Sequence, residues 1–330
     1  MIVLDFPSTK FSREIAEKHG YDEFIIRRWE RIFGKEMTER LIAGMEKVPR
    51  YIRINTLKAD EDEVLGRLEK RGFVIVKTEV DYCYEVKEEP YSIGATPEYL
   101  MGYYYVMDKS SCIPPLALEP EPTDLVVDFA SSPGGKTTMI AQLMRNKGKI
   151  IAIEGKRERI QALIDNLHRM GVLNCMTIHM NSAEFWKTRI KADKILLDAP
   201  CTGEGIIHKD PSRKISKSSE DIKFCSALQT AMLESAIKTL KVGGCLVYST
   251  CSLTPEENEF VINRVLEKFE VHLEKISYGE PALTEVAGIK LNSEIKKARR
   301  LYPHIHRCSG FFIAKIIKDG NRVQETSSSK

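Results

Sequence analysis

The sequence predicts an α/β protein in which a Rossmann-like domain with a mainly parallel sheet follows a small helical and α+β module. Two patterns and a length carry that expectation. Beyond residue 124, short apolar runs alternate with segments of helical period, as strands joined by crossover helices do. Between residues 51 and 106 the order is strand, helix, strand and hairpin pieces, a unit that stands apart from the alternation. At 330 residues the chain has room for roughly two domains.

Taken in order, residues 10–47 read as helices. Asp22 is placed as an N-cap and Gly34 as a stop around the segment Glu23-Phe-Ile-Ile-Arg-Arg-Trp-Glu-Arg-Ile-Phe. Ile25, Trp29, Ile32 and Phe33 share a face, which leaves Arg27, Arg28 and Arg31 as a solvated one. A strand at 51–57, a helix at 60–70 ended by Gly72, a strand at 73–77 and hairpin pieces at 82–86 and 103–106 form the small module. Its size matches an RNA-recognition type of sheet, but the aromatic signature of that type is not evident. The proline-rich run 113–123 reads as a bridge. Then follow strands at 125–129, 150–154, 175–180, 194–198 and 245–250, with helices at 135–146, 157–170, 226–240 and 255–268. Late strands at 271–276 and 311–317 close the set. The expected divisions are a helical segment 1–50, the α+β module 51–109, the Rossmann-like domain 110–320 and a frayed, serine-rich tail 321–330.

Composition narrows the partners. Lys plus Arg number 50 against 47 Asp plus Glu, a net charge of +3, which excludes neither nucleic acid nor a neutral ligand. No apolar run approaches the ~20 residues of a membrane span, and the start lacks a signal-peptide pattern, so a cytoplasmic protein without membrane contact is expected. The chain has eight cysteines. None falls in a Cys-x-x-Cys or Cys/His cluster of zinc spacing, so no metal is expected. Cys175 and Cys245 open apolar strands and read as small buried hydrophobes. Cys201 and Cys251 follow their strands instead.

Those two cysteines mark the chemistry. Residues 195–205 read Ile-Leu-Leu-Asp-Ala-Pro-Cys-Thr-Gly-Glu-Gly: a buried strand ends at Asp198, and Ala199-Pro200 turns the chain off the sheet. Residues 247–252, Val-Tyr-Ser-Thr-Cys-Ser, present a second thiol in the same way. Open α/β sheets hold ligands at such strand ends. The strand-to-helix junction Asp128-Phe-Ala-Ser-Ser-Pro-Gly-Gly-Lys-Thr-Thr admits two readings. One is a relaxed phosphate cradle, although Ala130 stands for its first glycine and Pro133 removes a donor. The other is an adenosyl-cofactor loop, where glycine lets the backbone approach the ligand and an acid at the end of the second strand binds the ribose hydroxyls. Glu154 occupies that place.

The motifs Ser-Ser-Pro-Gly-Gly-Lys-Thr, Asp198-Ala-Pro-Cys-Thr-Gly-Glu-Gly and Tyr248-Ser-Thr-Cys-Ser-Leu-Thr-Pro-Glu-Glu-Asn-Glu together resemble the Nop/Sun (RsmB/NOP-type) family of RNA cytosine-C5 methyltransferases. Arg53-Ile-Asn-Thr, Tyr104-Tyr-Val-Met-Asp-Lys-Ser-Ser, Arg300-Leu-Tyr-Pro-His and Gly310-Phe-Phe-Ile-Ala-Lys are similar to its other motifs, so the resemblance runs from about residue 50 to 318. It implies a class I methyltransferase domain using S-adenosylmethionine. It makes Cys251 the nucleophile that adds to C6 of cytosine, because C5 itself attacks poorly and a covalent adduct divides the step. It gives Asp198 the hydrogen bond or proton to N3, Lys136 a hold on the base, and Cys201 the release of methylated product.

For the cofactor the resemblance implies Ala130, Ser131, Ser132, Pro133, Gly134, Gly135 and Lys136, then Glu154 on the ribose, Arg159 nearby, and Asp198 close to both cofactor and base. Asn181 stands where the family often has Asp near the adenine, and an amide still hydrogen-bonds there. Basic residues beside the site, Lys209, Arg213 and Lys214 in one stretch and Arg299 and Arg300 in 296–307, are expected to contact RNA phosphates. The substrate expected by analogy is tRNA, with rRNA second, and the enzyme a monomer. The rival readings are a P-loop NTPase and a non-catalytic RNA-binding protein.

Overall fold

The computed structural model describes residues 3–323. In chain order the elements are α1 (Lys10–His19), α2 (Glu23–Phe33), α3 (Lys35–Met45), β1 (Arg50–Ile54), α4 (Glu61–Lys70), β2 (Val74–Lys77), β3 (Cys83–Glu88), α5 (Pro97–Leu100), β4 (Tyr104–Val106) and α6 (Lys109–Leu118). There follow β5 (Leu125–Asp128), α7 (Gly135–Leu143), β6 (Lys149–Glu154), α8 (Arg157–Arg169), β7 (Cys175–His179), β8 (Ala192–Asp198), α9 (Ser219–Thr239) and β9 (Leu240–Thr250). The last part holds α10 (Glu259–Lys268), β10 (Phe269–Glu274), β11 (Glu280–Pro281), β12 (Glu285–Val286), β13 (Ile289–Lys290), β14 (Arg299–Leu301), α11 (Pro303–His306) and β15 (Phe311–Val323). Two units interleave along the chain: one of Met1–Val48, Ala199–Glu234 and Tyr248–Lys330, the other of Pro49–Asp198 and Ser235–Val247.

The Pro49–Asp198 unit contains two sheets. The first is antiparallel, in the order β2-β3-β1-β4. α4 covers it by burying Val64 and Leu68 among Ile52, Ile54, Tyr84 and Tyr104. Acidic Glu61, Asp62 and Glu63 in its first turn and Arg67 and Lys70 in its last oppose the helix dipole favourably. The second sheet runs β9-β8-β5-β6-β7, with β5 parallel to β6 and β8, and β6 parallel to β7. Val126, Val127, Ile153, Ile195 and Leu196 are wholly buried, as strands covered on both faces require.

In the other unit α1, α2 and α3 are each shorter than the ~12–15 residues at which an isolated helix holds in water. Packing decides their formation. Ile25, Ile26, Trp29, Leu41, Ile42 and Met45 bury together with Ile207, Leu253 and Tyr302, each such side chain contributing about 1.5–3 kcal/mol. The caps are as expected: Asp22 accepts from Phe24 N at 2.8 Å, and Gly34 takes φ 88°. β15 pairs antiparallel with β10 and β14, and β14 with β11.

Several expectations need correction. The proline-rich bridge is largely helix: α6 contains Pro114 and Pro115. Cys112, Ile113, Pro114, Pro115 and Leu118 of this helix are buried, and that burial outweighs the two amide donors the prolines lack. Arg28 belongs to no solvated face; it is 1% exposed and paired with Glu256 at 2.7 Å. Helix α9 begins earlier than expected and β9 reaches back through Gly243 and Gly244. Residues 321–323 of the expected tail continue β15; residues 324–330 lie outside the described residues. Among the described residues no helix is long and apolar enough to cross a membrane, and no group of His, Cys, Asp and Glu could hold a metal.

Candidate active site

Parallel strands β5, β6 and β8 end on acids, Asp128, Glu154 and Asp198, and Asn181 follows the end of β7. The loop after β5 is fastened by its own hydrogen bonds. Ala130 N donates to Asp128 Oδ1 at 3.3 Å, and Ser131 donates through N and Oγ to Ile153 O at 3.0 and 2.9 Å. Ser132 Oγ donates to Arg159 O at 2.9 Å, and Arg159 Nη2 returns a bond to Ser132 O at 2.6 Å. Burial pushes the Asp128 carboxyl up to about 6, against hydrogen bonds from Thr137 and Ala130. Gly134 has φ +104°, and a Cβ there would lie 3.2 Å from Leu163 Cδ1. The first glycine of the pair therefore answers a backbone need and a packing need at once.

Lys136 Nζ meets Asp198 Oδ2 at 2.7 Å, half-buried. A phosphate cradle would instead extend its lysine toward the ligand's outer phosphates. Glu154 is 5% exposed; one carboxylate oxygen accepts from Lys156 N at 2.8 Å and the other lies 3.8 Å from Arg159 Nη1. Asn181 is exposed and uses its Oδ1 to cap the following turn, accepting from Ala183 N at 3.1 Å. A glycine-bent loop, a carboxylate acceptor on the second strand and an exposed amide on the third suit an adenosyl group with its ribose diol. The residues present fit S-adenosylmethionine.

The other unit holds the thiols. Cys201 Sγ and Cys251 Sγ are 3.2 Å apart, both half-buried. Backbone bonds join their turns: Ala199 N to Ser249 O at 2.8 Å, Gly205 N to Cys251 O at 2.9 Å and Gly310 N to Gly205 O at 2.9 Å. A Cβ at Gly205 would come 2.0 Å from Gly310 O and 2.8 Å from Cys251 O, so only glycine fits this crossing.

Sequence reasoning assigned no role to the acids after Cys251. Glu256, Glu257 and Glu259 are fully buried, and each binds a different segment. Glu256 takes Arg28. Asn258 accepts from Thr250 Oγ1 at 2.6 Å and donates to Ser252 O at 2.9 Å. Glu259 holds Arg300. Glu257 accepts from Thr202 N at 2.9 Å, Ser252 Oγ at 2.8 Å, Gln229 Nε2 at 2.9 Å and Thr202 Oγ1. Burial raises its pKa to about 7, against those hydrogen bonds. The available signal was the run Pro-Glu-Glu-Asn-Glu itself, polar residues with no amphipathic spacing directly after a buried strand.

The expected RNA contacts divide. Arg300 is wholly buried and bound to Glu259 and Leu253 O, and Arg299 is 5% exposed and bound to Ile276 O. Neither reaches a phosphate, so both expectations are corrected: charge on a short strand read as surface charge, but β14 is interior. Arg213 donates to Thr202 O and pairs with Asp210, and Lys214 donates to His19 O; both are half-buried. Lys209 is exposed.

Residues 115–317 match the family model described as 16S rRNA methyltransferase RsmB/F. Residues 21–84 match one described as a Methyltr_RsmF/B-like, ferredoxin-like domain. A tRNA (cytosine(49)-C(5))-methyltransferase of Pyrococcus abyssi is 38% identical over 81% of this chain and 87% of its own length. A mouse 28S rRNA (cytosine-C(5))-methyltransferase is 36% identical over 96% of this chain and 41% of its own. The chain spans about half the length, or less, of the first four curated relatives it matches. A crystal structure of a methyltransferase homolog protein from Pyrococcus horikoshii superposes with a TM-score of 0.86 at 45% identity, covering 94% of this chain and all of that one. The structure of NSun6 from Pyrococcus horikoshii with SFG gives 0.79 at 28%, covering 89% and 97%.

Proposed function

Since this chain belongs to the RsmB/F (Nop/Sun) family, we propose that it methylates C5 of cytosine in RNA from S-adenosylmethionine, with tRNA as the preferred substrate and rRNA second. The observation that carries the reading is the pair of thiols 3.2 Å apart on turns that follow two strands. A buried structural cysteine needs no such partner, and neither a P-loop NTPase nor a silent RNA-binding scaffold has a use for it. The tRNA preference draws support from the Pyrococcus abyssi relative, which this chain spans over 87% of its length.

S-adenosylmethionine, when bound, supplies a methyl group on a sulfonium sulfur; the loop 130–136, Glu154 and Asn181 would hold it, with Arg159 keeping that loop in place. The Cys251 thiolate adds to C6 of the cytosine. The C5–C6 π pair moves toward N3, where Lys136 and Asp198 supply hydrogen bonding to the growing charge, and C5 becomes nucleophilic. Once C5 carries its methyl group, Cys201 as thiolate takes the C5 proton, the C5–C6 double bond re-forms, and the C6–S bond breaks to return Cys251. Lys209 supplies phosphate attraction without sequence information. The enzyme is read as a cytoplasmic monomer.

The test is incubation with methyl-labelled S-adenosylmethionine and separate tRNA and rRNA pools, followed by nucleoside analysis. Labelled 5-methylcytidine in tRNA well above rRNA is the expected result. Label in rRNA alone would reverse the preference, and no label in either would remove the reading.

A further inference from the structure

Resting on the methyltransferase reading, we infer that Glu257 is the positioning residue that sets the distance between the two thiols and thereby governs product release. Each cysteine is followed directly by a residue that Glu257 binds: Thr202 after Cys201, and Ser252 after Cys251. Oε1 accepts from the Ser252 hydroxyl at 2.8 Å and from the Thr202 hydroxyl; Oε2 accepts from Thr202 N at 2.9 Å and Gln229 Nε2 at 2.9 Å. Gln229 Nε2 also donates to Pro200 O at 2.8 Å, which fixes the residue before Cys201. One carboxylate therefore bridges both thiol turns, while Tyr248 Oη holds the backbone O of Glu257 at 2.6 Å.

The geometry separates two roles. Attack needs only Cys251 and a bound base. Release needs Cys201 within reach of a C5 proton while Cys251 is still bonded to C6, so it depends on the spacing of the thiols. An alanine at 257 removes every arm of the bridge. A glutamine keeps its length, and the two hydroxyls can rotate to accept from its amide. An aspartate is too short to serve both turns.

Two readouts test this. First, diamide takes up two hydrogens as a disulfide forms, and mass mapping reports the Cys201–Cys251 linked peptide. Linkage in Glu257→Ala is expected to slow on the order of 10-fold or more, with Glu257→Gln close to the wild type, since ångström displacements of reacting groups carry such costs. Second, Glu257→Ala with RNA and cofactor is expected to accumulate covalent protein–RNA complex, its steady-state turnover falling on the order of 10-fold further than its first turnover. Should Glu257→Ala fail to fold, Ser252→Ala and Thr202→Val, each cutting one arm, are expected to show the same signs more weakly. Equal loss of first and later turnovers, or unchanged linkage in a folded Glu257→Ala, would overturn the inference. If wild type and Cys201→Ala form no complex on any RNA, the methyltransferase reading fails, while the linkage assay still judges the bridge.

Discussion

The cofactor loop and the thiol turns are held by different means. The loop after β5 is fixed by single bonds onto main-chain carbonyls and by a glycine bend: Ser131 on Ile153 O, Ser132 and Arg159 on each other, Gly134 in a left-handed conformation. The thiol turns are fixed by fully buried carboxylates, Glu256, Glu257 and Glu259, each bound to a distant segment of the same unit. Losing one neutral hydroxyl bond of such a loop costs only about 1 kcal/mol. Buried acids tolerate little, because removing one partner strands a charge. The contrast predicts where mutations hurt and how.

The largest effect should come from the thiol side. Cys251→Ala is expected to lower methyl transfer by on the order of 10⁴-fold or more, since covalent catalysis loses its nucleophile; label incorporation measures it. Next is stability. Arg300→Ala should cost about 3–5 kcal/mol by leaving Glu259 buried and unpaired, seen as a large fall in thermal midpoint. Ser132→Ala, which removes a single hydrogen bond of the loop, should cost about 1 kcal/mol. Comparable losses at the two positions would break the comparison.

A pH test sharpens it. Burial raises Glu257 from an ordinary 4.5 to about 7 and Asp128 from 3.8 to about 6. Each folded pKa lies above the unfolded one, so each contribution to stability is full below the unfolded value. It is lost as pH rises through the folded value. Urea midpoints should therefore fall between pH 5 and pH 8, and Glu257→Gln should flatten the fall more than Asp128→Asn. An equal slope in wild type and Glu257→Gln would contradict the buried-acid account. The smallest effect belongs to Lys209→Ala: RNA binding weakened evenly across sequences, with the salt slope reduced by about one.

What was legible follows the same division. Strand ends, the glycine bend and both cysteine turns could be read because period, proline and glycine act locally. Asp22 and Gly34 were placed for that reason. The errors were non-local. Arg28, Arg299 and Arg300 carry charge that reads as surface, and only tertiary pairing shows them buried. Pro114 and Pro115 read as part of a proline-rich bridge, but burial holds them in α6. Glu257 stood in a quoted motif without a role, since its partners Thr202 and Gln229 are distant in sequence.

The central claim is that Cys251 bonds to the base and Cys201 frees it. Its most direct measurement is a denaturing gel of Cys201→Ala with labelled cofactor and bulk tRNA, beside the Cys201→Ala, Cys251→Ala double variant. A covalent protein–RNA band in the single variant, absent from the double, is the predicted result. A band that persists without Cys251, or normal turnover without Cys201, would contradict it.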